Sequence, residues 1–389
     1  MKRVLLCVNS DIGRGNTIGF RFGIIAHMLK QQGVEVDIIA RANYDTALTV
    51  RTPWYKNYLG RALNFLHIYI TPFVSYRSIE VWIFDRFVLR QLKKKGTCDY
   101  QVAHIGESLS RSMAWLKQNH VLVFLDIPIA HDAYVSSLRE RGIDANTEVV
   151  ASHAYIDRAI SEADVLVCPS AFVVNTVQQA GFTTPYIIIP FGADKVFVSE
   201  HEESHTSDAE LVFLFAGSIA LRKGARYLLE AWNGFSKRSN CRLVLCGRIY
   251  KEIQPYLKKT DMARVTLVGF TRDIQAQYRA ADVFVLPSLM EGSAKAVYEA
   301  MAYGLPVITT ENTGSIVENG KTGYIVPIAD AAAITEKLEF LYTHRERLRD
   351  MSDAAKAAVA PYTWEAYARR VVASYTATTY DTKKISTTD

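Results

Sequence analysis

The 389-residue chain has no long apolar run. No stretch approaches the ~20 residues that a membrane-spanning helix needs, so none is expected. The apolar start, Val4-Leu5-Leu6, stops at Asn9-Ser10-Asp11. That is too short for the apolar region of a secretory leader and reads instead as a buried first strand. Cysteine is also scarce. The five, Cys7, Cys98, Cys168, Cys241 and Cys246, are odd in number and none stands in CxxC spacing. This argues against a disulfide framework or a zinc site, and for reduced thiols in a cytoplasmic setting. Glycine and proline number 21 and 11 without forming a low-complexity tract, so no disordered or fibrous class applies. The net charge of +5 is modest and no recognition motif appears, which argues against nucleic acid as a partner.

What the chain does have is repeated alternation. Residues 3–9, 34–40, 100–105, 121–125, 165–168 and 186–190 are short, branched, apolar segments, with helical patterns between several of them. Residues 211–216, 242–246, 265–268, 283–286 and 307–309 continue the pattern. Alternating strands and helices imply parallel sheets covered on both faces. Between the halves, residues 195–208 have linker composition. The expected fold class is α/β, with two Rossmann-like domains. The expected division is a first domain over 1–193, a linker over 194–210, a second domain over 211–360, and a helix with a frayed tail over 361–389. Ligands of such sheets bind beyond the carboxyl ends of the strands, and two domains facing each other would form a cleft.

The most informative stretch follows the segment 283–286. Glu291 lies in the loop after the strand, and a helix is expected from Ser293, a good N-cap type, to Gly304, a good C-cap type. Glu299 falls roughly 9 Å along that helix at ~1.5 Å per residue. Free N–H groups from Gly292 through Ser293 and Ala294 to Lys295 would attract anions or polar oxygens. Carboxylates accept hydrogen bonds from hydroxyl pairs. A ligand with a sugar, a phosphate and a ribose in line would suit this spacing, whereas a plain surface helix would simply expose two solvated glutamates.

The stretch resembles the Glu-x7-Glu motif of the retaining glycosyltransferases of group 1 (family GT4), which have the GT-B fold. Here it stands as Glu291-x7-Glu299, within Glu-Gly-Ser-Ala-Lys-Ala-Val-Tyr-Glu-Ala-Met-Ala-Tyr-Gly-Leu-Pro-Val. The resemblance implies that Glu291 contacts the donor hexose and Glu299 the donor ribose. The commoner Gly-Phe-Gly after the first glutamate is replaced by Gly292-Ser293-Ala294, and Lys295 adds a charge near the donor. A second match, Phe215–Gly224, places Lys223 at the family's diphosphate-binding lysine. Ser218 stands where arginine is usual, and Arg222 is offered as the second cation. Gly247 is a further donor-side match. So are Gly314, Glu318 and the segment 323–327, while 362–365 resembles the start of a helix that crosses back to the first domain.

In the first half, Gly13 and Gly15 follow the first strand. As a dinucleotide fingerprint this loop fails, because glycine would be needed at Ile18. Close backbone approach to a diphosphate still fits, and the resemblance implies a donor-side role. His131 and Asp126 are the acceptor-side candidates, with His104 and Glu107 behind them. Residues 51–95 hold nine Lys or Arg against Glu80 and Asp85, and many aromatics. This segment is either a solvated basic face or a membrane-surface patch, which would station the protein at the inner face of the membrane.

Taken together, the resemblance implies retaining hexosyl transfer from a UDP- or GDP-sugar to a saccharide or lipid-linked acceptor in cell-surface polysaccharide or glycolipid synthesis. It implies no cofactor and no metal, with Glu291 and His131 as catalytic candidates. Two alternatives are a non-catalytic nucleotide-sugar-binding subunit or sensor, and an epimerase on the same fold.

Overall fold

The computed structural model describes residues 1–14, 18–55, 58, 76–94, 98–145, 153–194, 209–235 and 240–377. Gly15, much of the basic segment 51–95, nearly all of the expected linker and most of the expected tail lie outside the described residues.

The chain forms two compact units, each around a parallel sheet. In the first, β1 (Arg3–Ile12), β2 (Glu35–Asn43), β3 (Val50–Arg51), β4 (Val102–Ile105), β5 (Leu122–Asp126), β6 (Val165–Cys168) and β7 (Tyr186–Ile188) are ordered β3-β2-β1-β4-β5-β6-β7. In the second, β8 (Leu211–Ala216), β9 (Cys241–Cys246), β10 (Val265–Gly269), β11 (Val283–Leu286), β12 (Val307–Thr309) and β13 (Gly323–Ile325) are ordered β10-β9-β8-β11-β12-β13. All six residues of β8 and all four of β11 are buried, so these strands read as unbroken apolar runs with no alternation. The strand order reverses between β1 and β4, and again between β8 and β11. At such switch points the loops diverge and leave a crevice for a ligand.

The first strand is longer than its apolar run. Pairing with β2 resumes after an irregularity between Val8 and Asp11 and continues through Ile12, so Asn9 and Ser10 are buried despite being polar. The unit boundaries also differ from the expected 1–193 and 211–360. Residues Tyr134–Glu148 group with the second unit, which resumes at Pro190 and ends at Thr363. The cause is packing. Leu138, on the helix Asp132–Glu140, and Ala145 after it belong to the core built on β8, β9 and β11. Trp364–Asp389 groups with the first unit.

A buried polar network ties the helix Trp364–Ser374 to the first sheet. Arg21 Nη1 and Nη2 donate to the two carboxylate oxygens of Asp126 at 2.9 and 2.7 Å, and Nη1 also donates to Tyr367 Oη at 3.0 Å. His104 Nδ1 lies 2.6 Å from Tyr375 Oη. Burial pushes the His104 pKa down to about 4, so the ring is neutral at physiological pH. These contacts bear on two acceptor-side candidates. Both carboxylate oxygens of Asp126 are taken by a buried guanidinium, and His104 is a core side chain packed on Phe22.

Candidate functional site

The site in the second unit is built where β8 and β11 diverge. After β8 the chain makes a short 3-10 turn, Leu221–Lys223, closed by Gly224 at φ +72°. A Cβ at Gly224 would lie 1.9 Å from the carbonyl oxygen of Pro287, so only glycine lets this turn press against the loop after β11. The two segments are then laced together. Leu289 N donates to Arg222 O at 2.9 Å, and Arg222 Nη1 donates to Met290 O at 3.0 Å.

Two cations converge on Glu291. Lys223 Nζ lies 2.7 Å from Glu291 Oε1, and Arg222 Nη1 donates to the same oxygen. Burial is the larger influence on Lys223 and holds its pKa below the ordinary value, opposed by the charge of Glu291. The Glu291 backbone N–H donates to Asn312 O at 2.8 Å, and Ala294 N donates to Thr313 O at 2.9 Å. The turn Glu311–Thr313 thus clamps the loop from behind.

The helix starts later than expected. It spans Lys295–Ala302, with Ala294 at the N-cap and no side-chain cap. Ser293 is not the cap. Its hydroxyl accepts from Phe191 N at 3.4 Å and donates to Tyr298 Oη at 3.0 Å. Nor are all the loop N–H groups free, since Ala294 spends its own on Thr313. The N–H groups of Ser293 and Lys295 have no partner among the described residues. Val297, Tyr298, Ala300 and Met301 bury one face of the helix and leave Glu299 on another. Both carboxylate oxygens of Glu299 are engaged: Oε1 is 3.0 Å from Lys295 Nζ, and Oε2 accepts from Tyr278 Oη at 3.1 Å. Lys295 Nζ also lies 3.6 Å from Asp194. Burial, reinforced by Glu299, raises the Tyr278 pKa well above the usual phenol value, so Tyr278 remains a donor.

Of the remaining donor-side candidates, Gly292 is buried in the clamped loop, and Ser218 follows β8 with no side-chain partner among the described residues. Gly247 follows β9 and uses its N–H on Gly269 O at 2.8 Å. Tyr278, Asn312 and Thr313 were missed in the sequence reading. No local pattern marks them, because they meet the loop only through the sheet topology.

In the first unit, a cavity of about 390 Å³ lies beside the carboxyl ends of β4 and β5. One wall carries Arg77, Ser78, Glu107 and Ser108, while the rest is largely apolar, from Ile127 to Ala130 with Ile156 and Ile160. His131 and Asp132 complete it. His131 Nε2 lies 2.9 Å from Asp157 Oδ1, and Nδ1 accepts from Ala133 N at 3.2 Å, which fixes the proton on Nε2. Arg77 donates to Glu107 and, at 3.1 Å, to Glu80. Burial raises the Glu107 pKa, opposed by Arg77. Gly13 lies at φ +75°, with Asp45 N 2.7 Å from where a Cβ would sit, so close chain packing alone accounts for glycine there.

Two units, each with a parallel sheet whose strand order reverses at a switch point, have the GT-B fold. Residues 210–344 match the family described as Glycosyl transferases group 1. The match lies within the second unit and likens it to the group 1 glycosyltransferases. It is similar to the capsular polysaccharide biosynthesis glycosyltransferase CapM of Staphylococcus aureus, at 36% identity over 143 residues. That match covers 35% of this chain and 37% of the relative, so it spans little more than a third of that protein's length. Similarity to the D-inositol 3-phosphate glycosyltransferase of Corynebacterium efficiens is lower, at 25%, but covers 90% of this chain and 88% of the relative. Among solved structures, sucrose-phosphate synthase of Thermosynechococcus elongatus superposes with a TM-score of 0.69 at 18% identity, covering 96% of this chain and 98% of that one.

Proposed function

We propose that this protein is a group 1 glycosyltransferase that moves a hexose from a UDP- or GDP-sugar to a hydroxyl of a saccharide or lipid-linked acceptor, with retention at the anomeric carbon and without a metal or cofactor. The observation that carries this reading is the convergence of Arg222 and Lys223 on Glu291 at the switch point between β8 and β11. In the reaction, the acceptor oxygen bonds to the anomeric carbon and the bond from that carbon to the phosphate oxygen breaks. The acceptor proton passes to the departing phosphate oxygen. Arg222, Lys223 and the N–H groups of Ser293 and Lys295 take up the charge that develops on the diphosphate, the kind of contribution that usually dominates. Glu291 holds sugar hydroxyls and Glu299 the ribose. The cavity beside His131 receives the acceptor. His131, with Nε2 on Asp157 and Nδ1 on Ala133 N, lines that cavity and is the catalytic candidate on the acceptor side. The name of the capsular polysaccharide relative supports a role in cell-surface polysaccharide or glycolipid synthesis.

The test is incubation with UDP- and GDP-hexoses, with and without an acceptor panel, reading nucleoside diphosphate release. Acceptor-dependent release is expected, and Glu291→Ala is expected to lower it at least about 100-fold while circular dichroism shows the fold retained. Full activity in that variant would sink the site assignment. Binding without release across the panel would make the protein a nucleotide-sugar-binding subunit, and sugar interconversion without acceptor would make it an epimerase.

A second proposal concerns the helix Tyr76–Lys94. Exposed Ile79, Trp82, Arg86, Arg90 and Lys94 form one stripe at helical spacing, apolar at one end and cationic at the other, with Lys93 exposed beside it. The Arg86 guanidinium lies 3.9 Å from the centre of the Trp82 ring. Among the described residues, no helix is long and apolar enough to cross a membrane. We propose that this face rests on the inner membrane surface, the indole at headgroup depth and the cations on anionic lipid. Co-sedimentation with phosphatidylcholine vesicles is expected to rise when phosphatidylglycerol is added, and to fall in Trp82→Ala. No dependence on the anionic lipid would remove the proposal.

A further inference from the structure

The cations of the donor site already have carboxylate partners. Arg222 and Lys223 share Glu291, and Lys295 lies between Glu299 and Asp194. Arg222, Lys223 and Lys295 contribute +3, and Glu291, Glu299 and Asp194 contribute −3, so the contacting groups sum to zero. Both cations on Glu291 meet one oxygen, Oε1, while Oε2 has no partner among the described residues. The Glu291 side chain is only 13% exposed.

We infer that Glu291 discriminates the donor from the product by competing with the diphosphate for Arg222 and Lys223. The inference rests on the donor-site reading above. A diphosphate that binds these cations competes with Oε1 for them, weakening the partners of a shielded carboxylate beside an added anion. That is costly, because a buried charge stripped of its partners loses stabilisation that water cannot restore. An intact nucleotide-sugar brings hexose hydroxyls, which donate to Glu291 and replace the lost partners. The nucleoside diphosphate left after transfer brings none. One carboxylate is therefore satisfied in the donor complex and stranded in the product complex, which favours product release.

Calorimetric titration of the full chain with UDP and GDP tests this, comparing wild type, Glu291→Gln and Lys223→Ala, with the fold of each checked by circular dichroism. The glutamine variant is expected to bind the nucleoside diphosphate about tenfold more tightly, the scale of one charged hydrogen bond no longer contested. It is expected to bind the nucleotide-sugar no more tightly than wild type. Lys223→Ala is expected to weaken both. Should Glu291→Gln leave diphosphate affinity unchanged or lower while Lys223→Ala still weakens it, the discrimination is wrong and the site stands. Should Lys223→Ala have no effect, the donor-site reading itself fails. Glu291→Ala serves as the second variant if the glutamine form does not fold.

Discussion

Lys223→Ala is expected to lower the rate of transfer about 10²- to 10³-fold, the loss usual when one preorganised group is removed from a developing anion. The fold should survive. The turn Leu221–Lys223 is held by buried Leu221, by Gly224 against Pro287 and by the bond from Leu289, none of which needs the ammonium group. Glu291 would not be stranded, because Arg222 remains on Oε1. Most of the loss should appear in kcat at saturating donor, since the diphosphate charge grows mainly as the glycosidic bond breaks. Initial rates of nucleoside diphosphate release check this. A rate within a few-fold of wild type would move the leaving group away from this turn.

Asp126→Ala is expected to cost about 3–5 kcal/mol of stability, the range for removing one partner of a buried ion pair. Burial works against the Arg21 charge, but Asp126 more than offsets it and the guanidinium pKa is raised. Without the carboxylate, that buried charge loses both of its bonds to Asp126. Urea unfolding of the variant measures the loss. Replacing the pair together, Arg21→Met with Asp126→Leu, is expected to recover most of it. The same experiment decides the role of Asp126. A residue that touched the acceptor would lower transfer while leaving the unfolding midpoint in place.

The strands that could be read in the sequence are those buried on both faces, such as β8 and β11, because continuous apolar runs need no knowledge of their neighbours. The polar end of β1 could not be read. Asn9 and Ser10 are covered only because β2 runs on beside them to Asn43. Leu138 looks like any apolar residue on an amphipathic helix, and nothing local says which core takes it. In the site, Glu291, Glu299 and Lys223 were legible from spacing and motif. Tyr278 was not, since it reaches Glu299 from a separate helix, Ile274–Arg279. A carboxylate at a strand's carboxyl end, such as Asp126, looks the same in sequence whether it faces a ligand or a buried arginine.

The grouping of Tyr134–Glu148 with the second unit and Trp364–Asp389 with the first bears on how the protein is made. The chain passes between units four times. A ribosome delivering it from the N-terminus releases nearly all of the first unit's strands early, but the helix that seats Tyr367 against Arg21 comes near the end. The second unit likewise receives Leu138 long before the strands it packs against. Neither core can be completed from one uninterrupted stretch of nascent chain, so a cut at the 195–208 segment would yield two fragments that each lack a part held by the other.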